Sequence, residues 1–232
     1  MQATNKEYWI SQKMRNIRSE IQQMSNEYGL PNASGDICEI VKRQFRRDGD
    51  LAVENIFSIL PLDVRKIIKR HLLLPKLKEV PTLQGIDENV LDDIFLDHLE
   101  QVIYDGGNYI IREGEPLDMM IFISRGSVLT YNTSSTGHVG GGSGLSNTIG
   151  RLTRDDLYGQ ELMSWATTST SFSDLPISSK TLKSHEKVEV FAIRASVLLH
   201  IVSEHKKYFK TETQHPHPTD STLIEINEHG NS

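Results

Sequence analysis

Apolar residues recur at helical spacing through the first hundred positions, then give way to short runs punctuated by glycine. Trp9, Met14, Ile17, Ile21 and Met24 share one face of a polar segment, which predicts an amphipathic helix ended by Gly29-Leu30-Pro31. Asn32-Ala33-Ser34-Gly35 reads as a turn, with Ser34 or Asp36 capping a helix over 36–47. That helix ends in the basic run Lys42-Arg43-Gln44-Phe45-Arg46-Arg47, as suits a helix C-terminus, and Asp48-Gly49-Asp50 breaks it. Val53, Ile56, Phe57 and Leu60 predict a short helix stopped by Pro61, and Asp63 is placed to cap another over 64–74. Pro75 and Pro81 flank an irregular connector. Gly85-Ile86-Asp87 then opens a helix with Ile86, Val90, Leu91, Ile94, Phe95 and Leu99 on one face.

Beyond residue 101 the pattern predicts strands over 101–104, 109–112, 119–124, 127–131, 181–184 and 187–193. Asp105-Gly106-Gly107, Glu113-Gly114-Glu115-Pro116 and Arg125-Gly126 are turns between them. The glycine-rich stretch 137–150 reads as a mobile loop, 194–209 as a final helix, and the tail from Thr211 with its HPHP element as disordered. The fold class is therefore α+β, with helices leading into an antiparallel barrel or jelly-roll-like β-roll and a helix following it.

Charge and cysteine content narrow the chemistry. The net charge of -6 argues against a nucleic-acid partner. Cys38 is the one cysteine, so no disulfide forms within the chain, as fits a reducing compartment. The best apolar run, 191–202, is interrupted by Arg194, Ser196 and His200, and the first residues lack a signal-peptide core. The reading is of a polypeptide that is soluble as written. No GxSxG, HExxH, Walker loop or Cys–His pair is present, so an enzyme is not expected. His71, His98, His185, His200 and His205 are scattered, and His215 with His217 makes an incomplete metal set. Trp9 and Trp165 read as core or interface anchors. The RQFRR and RKIIKRH runs read as solvated faces or intersubunit donors, with acidic lipid as the alternative.

One constellation carries chemistry. Leu157-Tyr158-Gly159-Gln160-Glu161-Leu162-Met163-Ser164-Trp165 precedes Leu175-Pro176-Ile177-Ser178-Ser179-Lys180-Thr181. Gly159 at a turn lets backbone N–H groups approach a ligand, and a short helix after it aims donors at an anion. Glu161 can accept from a sugar hydroxyl, and Lys180 beside Thr181 suits one phosphate. By residue type alone this is an anion and sugar site, with a solvated surface pair on a β-roll as the alternative.

Residues 57–130, with FSILPLDVRKIIKRHLLLPKLKEVPTLQGIDENVLDDIF and YIIREGEPLDMMIFISRG, together with the cassette-like segment above, resemble the plant cyclic nucleotide-gated ion channel family over about 5–209. The resemblance implies a helical C-linker at 1–80, a cyclic nucleotide-binding β-roll domain at 81–209 and a disordered tail at 210–232. It implies cAMP or cGMP as ligand, with no other cofactor, held by Gly159, Glu161, Leu162, Ser179, Lys180 and Thr181. Leu162 would start the small helix. Lys180 stands where the family usually carries arginine, and loses its planar fork. Met163 replaces a usual leucine, Gln160 a common acidic residue, and Asp155-Asp156 the more usual Glu-Gly. Channel subunits in a homo- or hetero-tetramer are the implied partners, on the cytosolic side of a plasma membrane or endomembrane. Calmodulin is a further implied partner, although its usual helix reads as cut short after Tyr208-Phe209. Three functions compete: a gating module, a soluble cyclic-nucleotide sensor, and a degenerate module that assembles with channel subunits without binding nucleotide. The helices over 10–75 favour the first.

Overall fold

The computed structural model describes residues 2–48, 55–132, 148–169 and 171–209. Helix α1 (Gln2–Glu27) turns through a 3-10 segment at Pro31–Ala33 into α2 (Ser34–Arg47). The apolar stripe of α1 does what its spacing predicts. Met14, Ile17, Ile21 and Met24 are buried with Ile10 and Tyr28, and α2 contributes Ile37, Val41 and Phe45. Trp9 is 40% exposed at the edge of this core, with the Lys13 ammonium 3.7 Å from its ring centre.

Four local expectations need correction. Helix α2 begins at Ser34 itself, one step after the 3-10 turn, so its N-cap is Ala33 and Asp36 lies in its first turn. Helix α3 is the single turn Ile56–Ile59, capped by Asn55, whose side chain accepts from the Phe57 N–H at 2.9 Å; Val53 lies outside the described residues. Helix α4 (Leu62–Leu77) starts after Pro61, takes Asp63 into its first turn and continues through Pro75. Proline near a helix end forfeits one backbone bond, which the buried Leu73, Leu74 and Leu77 offset by packing. The last predicted helix is α7 (Ala195–Glu204), followed by a 3-10 turn at Lys206–Tyr208 that seats Phe209 edge-on to Phe95, 6.3 Å away.

Helix α5 (Glu88–Phe95) opens as expected, with the Asp87 side chain accepting from the Asn89 N–H at 2.9 Å. Arg70 of α4 pairs with Asp92 of α5 and tilts its second nitrogen toward Asn89 at 3.3 Å. Lys69 donates to the Leu96 carbonyl at 2.9 Å. Burial holds this ammonium below the ordinary lysine range.

Eight strands form two four-stranded antiparallel sheets. One has the order β1 (Glu100–Tyr104), β8 (Val188–Arg194), β3 (Met119–Arg125), β6 (Leu157–Tyr158). The other has β2 (Tyr109–Ile111), β7 (Thr181–Ser184), β4 (Val128–Tyr131), β5 (Thr148–Leu152). Strands β5 and β6 were not expected, and Gly150 belongs to β5, paired with Thr130, and not to a loop. Residues 148–150 of the expected loop thus lie in β5, and the rest of it falls outside the described residues, as does the tail from 210. Strand β6 is two residues long and carries no alternation to read.

Burial patterns show what each sheet faces. Along β4 and β7 buried and half-buried residues alternate, so one face is wet. Six consecutive residues of β8 are buried, because the second face of the first sheet is covered by helices; Phe57 of α3 stands edge-on to Phe191 at 5.3 Å. That covering buries the carboxylate of Glu189. Gln101 donates to it at 3.1 Å, Tyr28 Oη at 3.4 Å, and Arg125 lies 3.5 Å away. Arg125 Nε also stands 3.2 Å from Glu27 Oε2 of α1, an ion pair without hydrogen-bond alignment. Asn55 donates to Gln101, which ties the cap of α3 to the same cluster.

Burial first, and then the negative charge of Glu189, push the Tyr28 hydroxyl well above its ordinary 10.0. The folded state thus holds this proton more tightly than the unfolded chain. Its contribution to stability is complete below about pH 10 and is lost as pH climbs toward the raised folded value. Thermal unfolding followed across this alkaline window should show a steep loss of stability in the parent chain and a shallower one in Tyr28→Phe. Equal slopes would show that Tyr28 titrates normally.

Candidate functional site

Strand β6 hands the chain through Gly159 to α6 (Glu161–Thr168). Gly159 has φ +86°, and a Cβ there would sit 2.8 Å from the Met119 carbonyl oxygen. No other residue allows the turn to lie this close against β3. Helix α6 starts one residue before the expected Leu162. Its apolar face (Leu162, Met163, Trp165 and Ala166) is buried, and Trp165 Nε1 donates to the Ser171 carbonyl at 3.1 Å. The Leu162 side chain is wholly buried, and its N–H donates to the Gly159 carbonyl at 3.0 Å. Glu161, at the first position, is left exposed, where the positive end of the helix favours a carboxylate.

A second segment, 175–180, is clamped along the turn between β2 and β3. Gly114 N–H donates to Ser178 O at 2.9 Å, Ser178 N–H to Glu115 O at 2.9 Å, and Leu117 N–H to Pro176 O at 2.8 Å. Ser178 is buried. Its Oγ donates to the Lys180 carbonyl at 2.7 Å and lies 2.8 Å from Tyr158 Oη. A serine has one hydroxyl proton, so Tyr158 is the donor in that contact. The relay Tyr158–Ser178–Lys180 therefore joins β6, next to Gly159, to the start of β7. Neither Tyr158 nor Ser178 stood out in the sequence, because a single buried polar pair leaves no periodic trace.

The relay brings the strand that leads into Gly159 and Glu161 next to the segment that carries Ser179, Lys180 and Thr181. Thr181 is half-buried and accepts from the Glu113 N–H at 3.0 Å, which leaves its proton free to donate. Ser179 is exposed and Lys180 half-buried. Among the described residues neither Glu161 nor Lys180 has an ion-pair or hydrogen-bonding side-chain partner. Opposite charges without internal partners, beside hydroxyls that can still donate, are what a polar anionic ligand needs to replace its water.

The preceding turn holds an irregular residue. Asp155 has φ +70°, the left-handed region, and its N–H donates to Ile123 O at 2.9 Å. Asp156 accepts from the Thr153 N–H at 2.7 Å, so its charge closes the turn. Among the described residues no group of three His, Cys, Asp or Glu is arranged to hold a metal, and no helix is long and apolar enough to cross a membrane. The basic runs are partly paired within the chain, Arg46 with Glu7 at 3.0 Å and Lys66 with Asp97 at 3.7 Å.

These features define a class: a two-sheet antiparallel β-roll with a glycine-led helical cassette and a helical segment ahead of it. No family model matches the sequence. The chain is 36% identical to "Cyclic nucleotide-gated ion channel 1" of Arabidopsis thaliana over 205 residues, covering 88% of the chain and 28% of the channel. It is 34% identical to "Probable cyclic nucleotide-gated ion channel 10" of the same plant over 208 residues, with the same coverage. The chain is thus related by sequence to the plant cyclic nucleotide-gated ion channels and spans little more than a quarter of their length. The solved cNMP-binding domain of an Arabidopsis thaliana cyclic nucleotide-regulated ion channel is 35% identical, covering 53% of this chain and 85% of that domain at a TM-score of 0.44.

Two stability measurements follow from this geometry. Asp155→Gly should stabilise the chain by about 0.5–1 kcal/mol, because glycine adopts the left-handed conformation without strain. An unchanged or lower denaturant midpoint would show that the turn is not strained. Tyr158→Phe and Ser178→Ala, combined in a double-mutant cycle, should couple by about 1 kcal/mol. Simple additivity would deny the relay.

Proposed function

We propose that this chain is the cytosolic regulatory portion of a cyclic nucleotide-gated cation channel subunit, with residues 1–80 as its C-linker and 81–209 as its nucleotide-binding domain. The observation that carries the reading is the relay from Tyr158 to Lys180. It supports the reading by bringing β6, which leads through a close-packed glycine to Glu161, next to the backbone of Lys180, and both side chains lack an ion pair among the described residues.

In this reading Glu161 accepts from the ribose hydroxyl. Lys180 places its charge on the cyclic phosphate, and Ser179 and Thr181 donate to the same group. Gly159 lets the backbone meet the ligand, and Leu162 holds α6 in place from the core side. The relatives named above carry the names of ion channels. Helix α7 follows β8 directly and packs against α6, so a ligand on the cassette acts on the end of β8. Glu189, near the other end of β8, joins the helical segment through Tyr28 and Arg125. A ligand that favours one arrangement of α6 and α7 would bias the helices by its difference in affinity for the two arrangements. The parent channel would carry this portion beneath the membrane as one subunit of a tetramer.

Calorimetric titration with cAMP and cGMP tests the reading. Saturable binding by the parent chain is expected, weakened about tenfold to a hundredfold by Glu161→Ala and by Lys180→Ala. Lys180→Arg should tighten it, because the guanidinium fork meets a phosphate through two bonds. A folded chain that takes up neither nucleotide would overturn the proposal and leave assembly with other subunits as the role.

A further inference from the structure

The groove between α1 and α2 carries charge that the fold leaves uncompensated. Ser11, Met14, Arg15 and Arg18 fall at i, i+3, i+4 and i+7, one face of α1, and Cys38, Glu39 and Lys42 line the facing side of α2. Between them lies a cavity of about 270 Å³. Met14, a core residue, forms part of its floor. Its walls hold three cations and one carboxylate, a local charge of +2 in a chain whose net charge is -6.

Several cations elsewhere on the molecule are paired, among them Arg46 with Glu7, Arg70 with Asp92, and Arg125 with Glu27 and Glu189. Arg15, Arg18 and Lys42 make no ion pair or side-chain hydrogen bond with any described residue. Lys42 feels the charge of Glu7, but that carboxylate is committed to Arg46. Three cations around one cleft repel each other, and an anion seated among them removes that cost.

We propose that this groove is a binding site for a phosphate monoester group, gripped by Arg15 and Arg18 and neutralised with the help of Lys42. A phosphate monoester carries a charge of about -1.5 to -2 at neutral pH, which matches the groove. Its oxygens accept paired bonds from guanidinium groups, and lysine supplies a point charge. Ser11 adds a hydroxyl donor at the rim. The cavity is near the lower end of small-molecule sites, about 300 Å³, and has room for a phosphorylated headgroup as well as for inorganic phosphate. The phosphate comes either from solution or from a lipid headgroup. The site stands apart from the cassette and does not depend on its function.

The test uses the whole chain. Thermal unfolding is followed with inorganic phosphate against chloride at matched ionic strength. Cosedimentation is measured with phosphatidylcholine vesicles with and without phosphatidylinositol phosphate. Phosphate should raise the unfolding midpoint saturably, and a saturable rise should persist in Lys180→Ala, which separates this groove from the cassette. Arg15→Gln combined with Arg18→Gln should weaken the response about tenfold or more. Both arginines are exposed, so the variant should fold, and Lys42→Gln serves as a second probe. Vesicles that sediment the parent chain and not the double variant, and only with the phosphorylated lipid, assign the lipid headgroup. A midpoint response without sedimentation assigns soluble phosphate. The proposal is overturned if the folded parent responds to neither probe, or if its response survives in the double variant. It is overturned as well if the double variant only dissociates an oligomer of the chain.

Discussion

A carboxylate buried inside a sheet must be surrounded by donors, and the way this chain meets that demand for Glu189 shapes much of the molecule. Strand β8 sits at the centre of its sheet, with β1 and β3 on either side, the second sheet on one face and helices on the other. Glu189 is therefore largely withdrawn from water. Its donors come from three places, Gln101 on β1, Arg125 at the end of β3 and Tyr28 after α1, and Gln101 is held in turn by the cap of α3. An ion left unpaired in such a position costs several kcal/mol, roughly the stability margin of a domain. Helices and roll are thereby held in one register by a polar requirement as well as by apolar packing.

The same logic, with the opposite outcome, governs the two ends where charge is left free. At the cassette, core packing of Leu162, Met163 and Trp165 fixes α6, and the relay from Tyr158 through Ser178 fixes the start of β7. Each anchor is satisfied internally. What remains unsatisfied, Glu161 and Lys180, is half-buried or exposed and aimed away from the core. Rigid supports under unpaired polar groups are the preorganisation a ligand site requires. In the groove between α1 and α2, Ile17, Ile21, Val41 and Phe45 hold the helices together, while Arg15, Arg18 and Lys42 stand over the seam.

Two left-handed residues frame the approach to the cassette. Gly159 and Asp155 both take positive φ within five residues, on either side of the two-residue strand β6. Asp155 bears a strain that glycine at 155 would not, and Asp156 closes the same turn with its side chain. A short strand held between two tight turns presents its following residues at a fixed angle. The cassette can thus stay small and still be placed accurately against β3.

Much of the architecture was legible in the residues themselves. The stripe of Met14, Ile17, Ile21 and Met24, the cap at Asp87 and the glycine-bounded runs of β1 to β4 each follow from local spacing and turn chemistry. The constellation around Gly159, Glu161, Lys180 and Thr181 was visible as residue types, though not as neighbours. Other features depended on contacts far apart in the chain. Strand β6 is too short to show alternation, and β5 contains a glycine that reads as loop until it pairs with β4. Helix α4 runs through Pro75 because its leucines have a core to fill. Ser178 and Tyr158 are ordinary polar residues until burial forces them to find each other across twenty positions. Periodicity and caps are local properties, so the sequence by itself determines the helices, most strands and the candidate residue types. Pairing of buried polar groups is a property of the folded packing, so only the tertiary structure decided which of those residues share a site and which are joined through Glu189.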